Sequence, residues 1–254
     1  IPMPTSGTIY DYTLQRIVFT IDWTLRNLPL DTTRTYLTGK SSGAIGSIFT
    51  AMKIPERIAA IFVYVPLIDV ARPPSTNFNL PGIVNRFYGT YQTNLFTNDG
   101  SRRNERLNAN VLARENRMKS LPIMFTFCGR NDGTVGWAEK IPFYDTLKTY
   151  RHGGFHFWGT GNHAQTFSSS QWQPTFPNFS FFTRYRTNLS YPAFSNCSIN
   201  DNPGNGSPSN GDQIGSINGH LDWNDNIVDL PSTWGITLQL KDLVTTSGPD
   251  TAPD

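Results

Sequence analysis

The apolar positions of the first half of the chain follow two alternating rhythms. Across "DYTLQRIVFTIDWTLRNL", residues 11–28, Leu14, Ile17, Val18, Ile21, Leu25 and Leu28 recur three and four apart, which puts them on one stripe of a helix. "TRTYLTG" follows as a short strand, and "AIGSIFTAMKI" as a second helix that starts directly after a cluster of small residues. "IAAIFVYVPLI" and "LPIMFTFCG" are nearly unbroken apolar runs, as expected of parallel strands covered on both faces. "WAEKIPFYDTLKTY" reads as a helix and "FHFWG" as a further strand. Strand alternating with helix predicts an α/β domain on a parallel sheet, here over residues 1–184. The charged "RRNERLNANVLARENR" predicts a solvated helix.

From about residue 168 the helical period disappears, and Asn, Ser, Pro and Gly accumulate, most densely in "NDNPGNGSPSNGDQ". "GSINGHLDW" and "STWGITLQLKDL" then alternate like strands, so residues 185–254 predict the start of a β-rich, sandwich-like appendage.

Composition adds limits. A chain of 254 residues that is 37% hydrophobic and 13% aromatic can bury a sizeable core. Its 21 basic and 19 acidic side chains form no basic block, which argues against a nucleic-acid surface. No apolar run reaches the roughly 18 residues needed to span a bilayer. The chain starts at Ile1 without a leader-like segment and stops at the linker-like "SGPDTAPD". Both ends read as cut, and a missing N-terminal portion of the same protein is an expected partner. Sequons at Asn178, Asn188, Asn196 and Asn205 point to a secreted or cell-surface protein. Cys128 and Cys197 leave pairing open, although Cys128, in an apolar run, reads as a buried small hydrophobe. "DWNDN" and "NDNPGNGSPSNGD" hold oxygen donors suited to calcium, but the spacing is not that of an EF-hand, and solvated loop is the preferred reading. With no His/Cys cluster and no phosphate loop, the expectation is no metal and no cofactor.

The candidate chemistry centres on "YLTGKSSGAIGS". Gly39-Lys40-Ser41-Ser42-Gly43 fits G-x-S-x-G between a predicted strand and a predicted helix. Such an elbow strains the serine backbone, lets neighbouring chain approach at Gly39 and Gly43, and points the hydroxyl above the sheet. The Ser42 N–H would be one oxyanion donor. A tight turn without chemistry is the competing reading of the pentapeptide. A serine nucleophile needs a base, itself held by an acid. Of four histidines, His163 sits in the Gly-rich "WGTGNHAQTF" after an apolar strand, whereas His152 and His156 lie upstream and His220 lies in the tail. His156, alternating with Phe155 and Phe157, reads as structural. Asp132, in the turn after "IMFTFCG", is the candidate acid, with Asp69 after "YVPLID" as competitor. Trp137 and Trp158 flank the acid and base and read as core at least as well as pocket.

These strings, "DTTRTYLTGKSSGAIGS", "PERIAAIFVYVP", "PIMFTFCGRNDGTVGW" and "FHFWGTGNHA", resemble the α/β-hydrolase superfamily. They are most similar to its secreted esterase and polyhydroxybutyrate-depolymerase-like branch, with prolyl-oligopeptidase-like hydrolases nearby. The likeness covers roughly residues 10 to 170 and implies that Ser41 is nucleophile, Asp132 acid and His163 base. It further implies that residues 1–184 are the C-terminal part of a hydrolase domain. The first strands, and the loop giving a second oxyanion donor, would then precede Ile1. Asp31 and Arg34 would pair to anchor the turn. The expected activity is hydrolysis of ester substrates, polymeric ones included, through an acyl-enzyme. The alternatives are a serine peptidase, or a non-catalytic extracellular surface or binding protein on a hydrolase scaffold.

Overall fold

Two apolar runs that leave no residue to solvent form the centre of the sheet. The computed structural model describes residues 2–74, 79–164, 184–223, 226–241, 243–245 and 248–250. In chain order, β1 (Thr8–Ile9), α1 (Tyr12–Asn27), β2 (Tyr36–Lys40), α2 (Ser42–Lys53) and β3 (Ala60–Tyr64) come first. They are followed by α3 (Leu80–Tyr88), β4 (Phe96–Thr97), α4 (Arg103–Arg106), α5 (Ala109–Glu115), β5 (Ile123–Gly129), α6 (Lys140–Thr149) and β6 (Gly154–Gly159). Every residue of β3 and β5 is buried. A fifth strand, β7 (Gly215–Ile217), completes a sheet of order β2-β3-β5-β6-β7. The pairs from β2 to β6 are parallel, and β7 is antiparallel to β6. Parallel neighbours need crossovers, and α2, α3–α5 and α6 provide them.

The elements form where local chemistry favours them. Asp11 caps α1, its Oδ1 accepting the Leu14 N–H at 3.0 Å. The helix expected over 11–28 is present, yet none of its residues is buried, and Phe19 and Trp23 are 69% and 53% exposed. In the sheet, cross-strand aromatic pairs supply much of the packing. Phe125 stacks on Phe155 at 4.9 Å and Phe127 on Phe157 at 4.8 Å, each pair directly opposite across β5 and β6. Cys128 and Cys197 are free thiols, and burial pushes that of Cys128 up to about 11.

One expectation needs correction. The charged run after residue 101 is not one solvated helix. It breaks at Asn108, which caps α5 by accepting from the N–H groups of Asn110 and Val111. Ala109, Leu112 and Ala113 are buried, and so is Arg103, whose Nη1 donates to the Ala71 carbonyl at 3.0 Å.

The tail contributes β7 to the sheet, and Tyr185, Leu221 and Trp223 lie within the core, with Tyr185 edge-on to Phe125 at 5.8 Å.

Among the described residues, the tail's further β character consists of three-residue strands in antiparallel pairs: β8 (Leu221–Trp223) with β11 (Leu238–Leu240), β9 (Val228–Leu230) with β10 (Thr233–Gly235), and β12 (Leu243–Thr245) with β13 (Gly248–Asp250). Of the sequon residues, Asn188, Asn196 and Asn205 are exposed, while Asn178 lies outside the described residues.

His156 is the structural histidine of β6. It is buried, with Nδ1 2.8 Å from Thr126 Oγ1, and its ring stacks on Tyr144 at 4.6 Å. Burial pulls its pKa down from 6.5 to about 3 and also lowers that of His152. The unfolded chain therefore takes up a proton near pH 6.5 that folded His156 refuses until about pH 3. The stability this contributes is complete above pH 6.5 and is lost as pH falls toward 3. Urea titrations from neutrality down to about pH 5, before most carboxylates protonate, should show stability falling by up to about 1.4 kcal/mol per pH unit from this group. His156→Asn should flatten that slope.

Candidate active site

The carboxyl ends of β2, β3, β5 and β6 meet at one rim of the sheet, the location that open parallel sheets offer to ligands. At the end of β2 the chain turns directly into α2. Ser41 is the hinge, at φ 54° and ψ −117°, a strained conformation for a residue with a Cβ. The turn is held by the Ser41 N–H donating to the Tyr64 carbonyl at 2.9 Å and by the Ile45 N–H donating to the Ser41 carbonyl at 3.0 Å. The two elbow glycines are not equivalent. A Cβ on Gly39 would come 2.3 Å from the Gly43 carbonyl carbon, so strand and helix approach this closely only with glycine there. A Cβ on Gly43 would meet nothing within 4 Å.

His163 lies in the turn after β6. Its Nε2 is 3.0 Å from Ser41 Oγ and its Nδ1 is 2.8 Å from Asp132 Oδ2. Asp132 is 4% exposed, in the turn after β5, and its other oxygen accepts the N–H groups of Thr134 at 2.8 Å and Val135 at 3.1 Å. A carboxylate only accepts, so the His163 proton sits on Nδ1, and the Nε2 lone pair faces the serine hydroxyl. Ser42 is the first residue of α2, and an N–H at that position has no acceptor within its own helix. The three side chains expected from the sequence to share a site thus lie in one hydrogen-bonded line, with Ser42 beside it.

The competing residues stand elsewhere. Asp69 accepts the Arg72 N–H at 3.0 Å, and burial raises its pKa, with Glu139 adding to the effect. Glu139 in turn accepts the N–H groups of Ile68 at 2.8 Å and Asp69 at 3.0 Å, tying the loop after β3 to the start of α6. Trp137 and Trp158 are both buried, with ring centroids 5.8 Å apart, and belong to the core. His152 is buried with Nε2 2.8 Å from the Ala113 carbonyl, and His220 has Nδ1 3.1 Å from the Lys241 carbonyl. Asp31 and Arg34 pair at 3.1 Å, and Asp31 also holds Arg186 of the tail at 3.1 Å.

Two residues that sequence reasoning passed over join the acid turn to the histidine turn. The Arg130 N–H donates to the Gly159 carbonyl at 2.8 Å, and Asn131 donates through its N–H to Gly161 at 3.2 Å and through Nδ2 to Thr160 at 2.7 Å. The Arg130 side chain enters the Asn/Gly-rich loop that read from sequence as solvated, with calcium as the lesser reading. Carbonyls of Ser207, Pro208, Asn210 and Asp212 accept from its guanidinium, so those oxygens surround a cationic side chain of the protein itself. The sequence signal available was adjacency: Arg130 and Asn131 directly precede Asp132. Among the described residues no group of three or more His, Cys, Asp or Glu could hold a metal ion, and no helix is long and apolar enough to cross a membrane.

No protein-family model and no curated protein sequence matches the chain. Solved structures do. The acylaminoacyl peptidase of Pyrococcus horikoshii aligns with a TM-score of 0.52 at 15% identity, over 72% of this chain and 29% of its own. The S-formylglutathione hydrolase of Agrobacterium tumefaciens aligns at 0.42 and 16% identity, over 57% of this chain and 48% of its own. The fluorophosphonate-binding serine hydrolase FphF of Staphylococcus aureus aligns at 0.43 and 18% identity, over 59% and 56%. The match to the Pyrococcus structure carries the fold alone: an α/β arrangement around a mostly parallel five-stranded sheet. The two alignments below 0.5 carry no argument. This chain spans about half the length of the two hydrolases and less than a third of the peptidase.

The unequal glycines give a paired expectation. Gly39→Ala should destabilise by at least about 2 kcal/mol, because backbone must move to admit the methyl group. Gly43→Ala should change stability by no more than about 1 kcal/mol, on the stabilising side for a helical position in open space. Thermal melts of the two variants beside the parent check both signs.

Proposed function

We propose that the chain carries the catalytic machinery of a serine hydrolase acting on carboxylic esters. The observation that supports it is the line Ser41 Oγ, His163 and Asp132, with contacts of 3.0 and 2.8 Å and the serine backbone strained at the head of a helix. His163 takes the Ser41 proton through Nε2 as Oγ attacks the ester carbonyl, and Asp132 stabilises the imidazolium through Nδ1. The oxyanion of the tetrahedral intermediate accepts the Ser42 N–H, at a helix N-terminus where negative charge is favoured. His163 then protonates the departing alcohol, leaving the acyl group on Ser41. Water, deprotonated by His163, releases the acid and restores the serine. The proposal includes a secreted or cell-surface location, supported by the exposure of Asn188, Asn196 and Asn205 at sequon positions.

Treatment of the native protein with a fluorophosphonate probe should give an adduct that maps to Ser41 and is absent from Ser41→Ala. His163→Ala should slow labelling by at least about a thousandfold while remaining folded. Parallel assays with p-nitrophenyl esters and p-nitroanilides decide between ester and amide cleavage. Folded native protein that takes up no probe would refute the hydrolase reading and leave the non-catalytic scaffold.

A further inference from the structure

The stretch "NDNPGNGSPSNGD", residues 200–212, plays no part in the chemistry above, yet it is shaped around one side chain. Asp212 closes the loop on itself: its N–H donates to the Asn202 carbonyl at 2.8 Å and its Oδ2 accepts the Asn202 N–H at 2.7 Å. Gly204, Gly206 and Gly211 take φ of 80°, 97° and 82°. A Cβ on Gly204 would come 2.0 Å from the Asn210 carbonyl oxygen, so the curl is too tight for any other residue there. Carbonyl oxygens of the curl turn inward, and the guanidinium of Arg130 fills it. Ser207 and Pro208 each accept from Nη2 at 3.1 Å, joined by Asn210 and Asp212. The outer face of the guanidinium lies over the Trp137 ring, 5.3 Å from its centroid.

Arg130 is 1% exposed, and all four of its side-chain acceptors are carbonyls of this one loop. A buried charge so held cannot shift without leaving acceptors and charge unsatisfied. Its own backbone is the start of the acid turn. Arg130 and Asn131 bind Gly159, Thr160 and Gly161, the residues leading to His163, and the next residue is Asp132. The tail therefore grips the point from which both the acid and the base are set.

Resting on the hydrolase reading of Ser41, we propose that Arg130, seated in the carbonyl cradle of residues 207–212, is a positioning residue for the Asp132–His163 pair. The tail is then a working part of the site. A planar fork is required, because an ammonium group at the end of a lysine reaches fewer of the four carbonyls.

The test compares the parent protein with Arg130→Ala and Arg130→Lys, each checked for folding by circular dichroism. Kinetics on a p-nitrophenyl ester should show kcat lower by about tenfold or more, with KM changed by less than about twofold. Guanidinium chloride at a non-denaturing concentration should restore much of the activity of Arg130→Ala, and ethylammonium should not. If Arg130→Ala does not fold, the kcat and KM of Arg130→Lys decide. A folded variant with parental kcat would overturn the proposal, as would a failure of guanidinium to rescue a folded Arg130→Ala. An inactive, unlabelled parent would strike the hydrolase reading instead.

Discussion

The Asp132 carboxylate divides its two oxygens between two tasks, and the site depends on that division. One oxygen accepts two N–H groups of its own turn, which orients the side chain, and the other meets His163 Nδ1. Because the first oxygen is held, the second needs no rearrangement to receive the imidazole. The imidazole, in turn, is left with one orientation in which Nε2 faces Ser41. Preorganisation of this kind is what makes an ordinary serine hydroxyl a candidate nucleophile.

That geometry is affordable only because the sheet beneath it is rigid. β3 and β5 are buried along their whole length, and the stacked phenylalanines of β5 and β6 bind the acid's strand to the histidine's strand residue by residue. Strain at Ser41 is confined to one residue between a strand and a helix that both pack on this core, and Gly39 provides the clearance. Glu139 and Arg130 extend the same rigidity into the loops, the first toward β3 and the second toward the tail. Each works from one side of the Asp132 turn.

What the sequence revealed was whatever local pattern encodes. Asp132 and His163 were legible because each lies in a turn after an apolar run that forms a buried strand, and Ser41 because a cluster of small residues separates a short strand from a helix. The same runs announced the parallel sheet. The helix at residues 12–27 was legible from the spacing of Leu14, Ile17, Val18 and Ile21, though not the exposure of Phe19 and Trp23. What remained hidden was set by partners far along the chain. The three residues of β7 carry too little pattern to show that they pair with β6, some sixty positions earlier. The charges of residues 102–117 masked Ala109, Leu112 and Ala113, whose burial depends on the helices around them. Above all, the carbonyl-rich loop near residue 207 read as a solvated loop, because a sequence does not reveal that Arg130 will arrive there.

The central claim is that His163 is held in one tautomer between Asp132 and Ser41. Proton and nitrogen NMR of the protein with labelled histidine tests it most directly. The account predicts an Nδ1 proton resonance far downfield of the amide region, a neutral ring with Nε2 unprotonated, and loss of that downfield signal in Asp132→Ala. A His163 protonated on Nε2, with no downfield proton in the folded protein, would contradict it.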